Sequence, residues 1–105
     1  MDIVASEVRT VSVSFALSGD NTLIAAPGNN KKIRVLDGEV VAASAVDLVM
    51  KDGMTTAYTG ATALGTKVRN LLGQKTLSAN EALIGNLSGA VACVAVIRYV
   101  ILDVV

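Results

Sequence analysis

The sequence lacks most of the side chains that enzymes use for chemistry. It contains no histidine and no tryptophan, one cysteine, one proline, one phenylalanine and two tyrosines. Without histidine, a Ser-His-Asp triad and the usual zinc sites are excluded. The single cysteine, Cys93, can form no internal disulfide and has no histidine partner, so we interpret it as a buried structural thiol. We therefore expect no enzymatic activity, no catalytic residue, no cofactor and no metal site.

Charged residues are also scarce, and the two signs balance. The chain has 105 residues with nine basic and nine acidic side chains, so 17% are charged, against about 25% in an average domain. A net charge of zero gives no long-range attraction to nucleic acid or an anionic membrane. Charged residues interrupt every run long enough for a membrane span. A small domain needs polar residues to cover its surface, so this composition predicts burial in a homo-oligomer or a larger assembly.

The acidic residues do not form a pattern that favours acid–base chemistry. Asp37, Glu39, Asp47 and Asp52 lie at predicted turns or outward strand positions, where a solvated role is the better interpretation. The segment 60–67 has two glycines spaced as in a phosphate-binding loop, but its threonine precedes its lysine, whereas that motif needs the reverse order. We interpret it as a loop or a weak edge strand.

The sequence is rich in short apolar segments separated by turn residues. Turn signals recur at intervals of about ten residues, and no helical segments alternate with the strands, which is typical of sandwiches and small barrels. We predict an all-β fold, a single antiparallel β-sandwich, jelly-roll-like, of about seven to eight strands, forming one domain over 1–105. The predicted strands are 11–17, 22–26, 31–36, 39–43, 45–51, 54–59, 81–87 and 91–104.

Three segments carry specific local predictions. Asp52-Gly53 matches a two-residue type I′ hairpin turn. Asp37-Gly38 predicts a turn or bulge between two strands. Residues 68–82 mix helical spacing with interrupting glycines, so there we predict a loop before the strand 81–87.

The first nine residues break the alternation of the next strand. Val4 and Val8 fall on one parity, whereas Val11 and Val13 fall on the other. This switch predicts a bulge, or an N-terminal arm over 1–9 that leaves the sheet and contacts a neighbour.

The C-terminal segment 91–104 is the longest β-branched run, and it is apolar on both faces. At full extension it would reach roughly 45 Å, whereas a compact chain of this length is only about 33 Å across. It must therefore bend, end early or lie against another subunit.

We assign one face of this strand to the core and the other to a subunit interface. The odd face faces the core, because the even face contains Arg98, which is costly to bury unpaired. At an interface Arg98 could pair with a neighbour's carboxylate. The odd face comprises Cys93, Ala95, Ile97 and Tyr99. The predicted interface comprises Val94, Val96, Arg98 and Val100, with Val4 and Val8 of the arm.

Two blocks of sequence, Ser14–Leu36 and Asn80–Ser88, together with the final tyrosine-containing strand, resemble small β-sandwich structural proteins of tailed bacteriophages. These include capsid cement (decoration) proteins. The resemblance covers most of 11–102 as a pattern of strands and turns. The chain departs from it at Gly65–Thr76, which is more apolar, and this leaves the part of the virion open.

The resemblance implies a homo-oligomer, often a trimer, made in the host cytoplasm and seated on the surface of a virion. We expect a capsid cement protein that binds the major capsid protein and stabilises the shell. The alternative is a tail-fibre or receptor- or glycan-binding module, for which Tyr58 is the residue best suited to the lip of a pocket.

Overall fold

A computed structural model describes residues 2–4, 7–72 and 74–104, with 2–4, 71–72 and 104 described as backbone alone. These residues form two antiparallel sheets packed face to face, which confirms the predicted all-β sandwich. The described part contains no helix long and apolar enough to cross a membrane. Its strands are β1 (Asp2–Val4), β2 (Arg9–Phe15), β3 (Gly19–Ile24), β4 (Lys31–Ala42), β5 (Val46–Asp52), β6 (Thr56–Ala57), β7 (Thr62–Leu64), β8 (Arg69–Leu72), β9 (Lys75–Thr76), β10 (Leu83–Leu87) and β11 (Cys93–Val104).

We call the two layers the main sheet and the second sheet. In the main sheet β11 pairs with β4 along its whole length. The other side of β11 pairs with β1 and, further along, with β2. The other side of β4 pairs in the same way with β8 and β9. In the second sheet the order is β3, β10, β5, and β6 and β7 share the outer side of β5. Several of the predicted strands are thus flanked by short ones that the sequence pattern did not resolve.

The core lies between the sheets and is made by alternate residues of the longest strands, as expected when one face of each sheet is covered. The second sheet contributes a central strand, β10, with no charged residue, which fits its burial between two neighbours. The main core side chains on these strands are Ile33, Val35, Val40, Ala42, Val46, Leu48, Met50, Leu83, Leu87, Cys93, Ala95 and Ile97.

The length of β11 is accommodated by the shape of the domain. β11 and β4 each have twelve residues, or about 40 Å of extended chain, and the molecule measures 42 × 25 × 19 Å. The expectation that the strand must bend, end early or need a neighbour assumed a roughly spherical domain, and it was wrong. The two long strands instead define the long axis.

A bulge in β4 explains why the sequence suggested two strands where there is one. Arg98 pairs with Asp37 and Tyr99 pairs with Val35, so Leu36 is the extra residue. The predicted irregularity near Asp37 is confirmed as a bulge. It reverses the parity of β4, so that odd residues before it and even residues after it both face the core.

The predicted hairpin after β5 is confirmed, but its predicted turn type is wrong. Lys51 pairs with Ala57 and Asp52 with Thr56, which leaves a three-residue loop, 53–55, rather than a two-residue turn. Gly53 opens the loop with φ 72°. This positive φ favours glycine. A Cβ there would also meet the carboxylate end of Glu81, a flexible side chain that would have to move.

The segment predicted as a loop over 68–82 contains β8 and β9, so that prediction was wrong. β8 carries its own bulge, since Gly38 pairs with Leu72 but Glu39 pairs with Asn70. Two short strands with an interruption show no clear alternation of apolar and polar residues in the sequence. Their strand structure depends on pairing with β4.

The N-terminal residues 2–4 do not leave the sheet. Asp2, Ile3 and Val4 pair with Val104, Asp103 and Leu102 of β11. Val4 pairs with Leu102 and Thr10 pairs with Arg98, so even residues of β1 and β2 oppose even residues of β11 and share one face of the sheet. The predicted parity switch therefore does not occur between the two strands, and 2–4 pair with β11 instead of forming an arm. Residues 5 and 6 lie outside the described residues.

One buried asparagine fixes the turn between β2 and β3. The Asn21 side chain is 7% exposed. Its Oδ1 accepts from the Leu17 amide at 3.2 Å, and its Nδ2 donates to the carbonyl oxygens of Leu17, Gly19 and Gly85 at 2.8, 3.1 and 3.3 Å. A buried amide is stable only with such partners.

Candidate functional site

The predicted division of β11 into a core face and an opposite face is confirmed in its first half. Cys93, Ala95 and Ile97 are at most 3% exposed, whereas Val94 and Val96 are 40% and 42% exposed. Tyr99 packs against the core from the same side. The even residues therefore lie on the side of the main sheet that points away from the second sheet, which we call the outer face.

The centre of the outer face is a grid of three strands, fixed by register. Val94 lies between Ser14 and Val41, Val96 between Ser12 and Glu39, and Arg98 between Thr10 and Asp37. Val68, 61% exposed, borders a small hollow together with Val41, Val94 and Val96. We call these four residues the valine patch.

Arg98 bonds to a carboxylate of its own chain. Its Nε donates to Asp37 Oδ1 at 2.6 Å, and its second nitrogen bonds to Asp37 Oδ2. The hydrogen bond from Arg98, with its positive charge, holds the pKa of the Asp37 carboxyl below its ordinary value. The hydrogen bond to Asp37, with its negative charge, raises the pKa of Arg98. Arg98 therefore has a carboxylate partner within its own chain, and pairing with a neighbour's carboxylate, which the sequence suggested as one option, is not required.

This ion pair closes one end of a shallow depression on the outer face. The depression holds about 300 Å³ and is lined mainly by polar groups, including Thr10, Glu39 and Asn70 beside the pair. The outer face thus has an apolar end, the valine patch, and a polar end at Arg98 and Asp37. The opposite charges of these two residues cancel. Such a surface suits contact with another protein better than capture of an ion.

The remaining predicted interface residues do not all belong to this surface. Val100 shares the even parity but is 7% exposed, so it has almost no surface to offer a partner, and we remove it from the interface. Val8 is 57% exposed. The side chain of Val4 lies outside the described residues.

A polar cluster on the second sheet has a structural role. The Lys51 ammonium bonds to both oxygens of Asp20 at 3.0 and 3.1 Å and to the Met54 carbonyl at 2.6 Å, and Asn86 Nδ2 donates to Asp20 at 2.8 Å. The bonds from Asn86 and Lys51 lower the pKa of Asp20. The cluster ties β3, β10 and the hairpin loop together, and its groups bond to one another.

Tyr58 does not form an exposed lip. Its ring packs against the core, and the Lys75 ammonium lies 5.4 Å from the ring centroid. Its hydroxyl is buried and has no hydrogen-bond partner among the residues that the structure describes. Burial, followed by the charge of Asp52, raises the pKa of Tyr58 to about 12. A ring covered on this scale has little free face for stacking on a sugar.

A second groove, which the sequence did not predict, lies at the end of the sandwich where β2 begins. It holds about 390 Å³ and brings together Arg9, Lys31 and Tyr99 with the apolar segment 24–27. These residues come from four separate parts of the chain, and only the register of β2 and β4 on β11 places them together. No signal in the sequence alone could have assembled them.

The described residues contain no assembled reactive centre. Cys93 is buried, its thiol donates to the Val91 carbonyl at 3.3 Å, and burial raises its pKa, which favours the inert thiol. Within the described ranges no group of three or more His, Cys, Asp or Glu side chains could hold a metal ion.

Comparisons with known proteins assign no family. No protein-family model matches the chain, and no curated protein matches it. A solved structure described as "Bacillus endospore appendages form a novel family of disulfide-linked pili" aligns with a TM-score of 0.42 and 14% identity, over 95% of this chain and 90% of that one. A likeness of this degree carries no argument about what this chain does.

Proposed function

We propose that this chain is a non-enzymatic structural protein of a tailed-bacteriophage virion, and specifically a capsid cement protein that self-associates and binds the major capsid protein. The observation that carries the proposal is the valine patch, an apolar surface displayed on the two longest strands of the sandwich. The resemblance of Ser14–Leu36 and Asn80–Ser88 to phage sandwich proteins supplies the virion context.

The geometry supports a role in contact rather than chemistry. The valine patch lies on a sheet whose other face is the core, so its side chains are held rigidly and lose little conformational freedom on binding. Val94 and Val96 are less than half exposed, so their remaining burial contributes only a fraction of the ~1.5–3 kcal/mol of a fully buried valine. Several copies acting together on a lattice would multiply this modest term.

Purified particles from the source of this sequence test the proposal. Mass spectrometry should find the chain in stoichiometric amounts, and cryo-electron microscopy should place it on the capsid with the outer face against a neighbour. Val96→Asp should reduce its incorporation, whereas Met54→Asp, at a more exposed apolar position on the hairpin loop, should be incorporated normally. Absence of the chain from purified virions would refute the proposal.

A receptor- or glycan-binding module of a tail fibre is the second candidate, and the groove beside Tyr99 favours it. An aromatic ring beside Arg9 in a concave site is a combination that can bind a polar or acidic sugar, whereas Lys31 in the same groove is paired with Asp103 at 2.7 Å. Saturable binding on a glycan array, abolished by Tyr99→Ala and unchanged by Val96→Asp, would replace the cement proposal with this one. Absence of binding across the array would count against the module.

A further inference from the structure

β2 lies at an edge of the main sheet. It pairs with β11 on one side, and among the described residues no strand pairs with its other side. The backbone groups that point outward from a strand in this position have no ladder partner, so the strand can pair with another chain.

This edge lacks the features that normally block such pairing. Protected edges carry charges, proline, bulges or very short strands. The segment Thr10–Ser14 has no charge, proline, glycine or bulge over five residues. It also pairs with β11 in an unbroken register.

The other edges of the described sheets are protected. β3 carries Asp20 and a register shift, β8 has only four residues and a register shift, and β9 has two residues, one of them Lys75. β1, β6 and β7 have only two or three residues each. β2 also begins with a charged residue, Arg9, but its next five residues form the longest described edge segment without a charge or a register shift.

The sequence of this edge is palindromic in side-chain type. It reads Thr10-Val-Ser12-Val-Ser14, so hydroxyl and β-branched residues repeat symmetrically about Ser12. In each copy the outward-pointing backbone groups belong to alternate residues. Two copies can therefore pair only if even-numbered residues face even-numbered residues and odd-numbered residues face odd-numbered ones. A two-fold axis at Ser12 meets this requirement.

We propose that two copies of this chain pair antiparallel through β2, about a two-fold axis at Ser12, and join their main sheets into one continuous sheet. Ser12 then faces Ser12 of the second copy, Val11 faces its Val13, and Thr10 faces its Ser14. The valines, half-buried in the single chain, form cross-strand β-branched pairs, and the hydroxyl residues can hydrogen-bond across the seam. A second copy is the favoured occupant because the palindrome makes the edge complementary to itself.

The same axis keeps like charges apart. The two Arg9 residues stand six positions apart along the paired strands, or about 20 Å. Because the axis is perpendicular to the sheet, both outer faces lie on the same side of the pair.

Engineered disulfides test both the partner and the register. Directly opposed residues of an antiparallel pair have Cα atoms about 5 Å apart, within the range of a disulfide. With oxidised glutathione, Ser12→Cys should form a covalent dimer, and Ser14→Cys alone should not, because its two copies would lie about 13 Å apart. Ser14→Cys mixed with Thr10→Cys should form the heterodimer.

The controls make each outcome decisive. Thr22→Cys places an exposed thiol in the middle of the edge strand β3, and the unsubstituted chain reports on Cys93, which is 3% exposed. Ser12→Cys should give about tenfold more covalent dimer than Thr22→Cys, because pairing raises the effective concentration of opposed thiols to the millimolar range. Equal yields from these two variants, or equal yields from Ser12→Cys and Ser14→Cys, overturn the proposal.

Edge pairing and outer-face contact are separable. Adding Val96→Asp to Ser12→Cys should leave the cross-link intact, since Val96 lies on the face and not on the seam. If the chain forms the Ser12→Cys cross-link but does not bind the capsid, only the cement proposal is contradicted. If the chain binds the capsid but forms no cross-link, only the proposal of edge pairing is contradicted.

Discussion

Arg98 and Asp37 form an ion pair across β11 and β4, directly beside the bulge that reverses the parity of β4. Both residues are opposed in register, so the pair needs no neighbouring subunit. The Asp37 pKa is lowered because the hydrogen bond from Arg98 favours the charged carboxylate. The folded state therefore binds the Asp37 proton less readily than the unfolded state.

This relationship gives a prediction in acid. The stabilisation from Asp37 is present above the pKa of the unfolded chain and is lost as pH falls through the lower pKa of the folded chain. The effect should be small, because the pair is exposed. In Arg98→Gln, NMR titration should show the Asp37 pKa moving up toward its ordinary value, while the Asp20 pKa stays low. An unchanged Asp37 pKa would contradict the assigned cause.

The valine patch gives a prediction about assembly. Val96→Asp places a charge on the outer face without disturbing the core, so the variant should fold normally and lose self-association through this face. Cys93→Ala, on the opposite side of the same strand, should keep assembly and lose roughly 1–2 kcal/mol of unfolding free energy through a small cavity. Sedimentation measures the oligomer size of both variants, with Met54→Asp as the control. Val96→Asp should leave at most the dimer that pairs through β2, and an unchanged larger oligomer would exclude the patch from the interface.

The turn before β3 gives a prediction about stability. Asn21→Ala removes the side chain that bonds to Leu17, Gly19 and Gly85 and leaves buried polar groups without partners. We expect a loss of about 2–3 kcal/mol in urea unfolding. Asn29→Ala, at an exposed turn, should change stability by less than about 0.5 kcal/mol. Equal effects of the two substitutions would mean that the buried network contributes nothing specific.

Gly53 gives a prediction about backbone conformation. Gly53→Ala puts a Cβ at positive φ and against Glu81, so we expect a loss of at least about 1 kcal/mol. Gly60→Ala, with nothing within 4 Å and no positive φ, should be neutral or slightly stabilising. Thermal unfolding of the two variants measures the difference, and a neutral Gly53→Ala would show that the loop relaxes freely.

Tyr58 gives a prediction in base. Its pKa is raised to about 12 from 10.0, so the unfolded chain releases this proton first as pH rises. Unfolding free energy should therefore fall between about pH 10 and pH 12, by on the order of 1–3 kcal/mol. Tyr58→Phe should lack this decrease and remove the late step from an ultraviolet titration. The same alkaline decrease in Tyr58→Phe would assign it to other groups.

The sequence alone determined the fold class and the core face of the first half of β11. Alternation over 11–17, the turn residues and the absence of helical segments predicted an all-β sandwich, because a strand with one buried face must alternate. The reluctance of Arg98 to be buried unpaired identified the core face of β11 correctly. Both are local properties, readable from neighbouring residues.

Tertiary structure decided what depends on residues far apart in sequence. Leu36 is the extra residue of a bulge because the adjacent residues Arg98 and Tyr99 of β11 pair with Asp37 and Val35 of β4, which leaves Leu36 without an opposed residue. Arg98 meets Asp37, and Val100 is covered, through register and burial that no local pattern encodes. β8 and β9 are strands because β4 is there to pair with them. Cross-strand hydrogen bonds and packing, acting over these long separations, overrode weak local preferences.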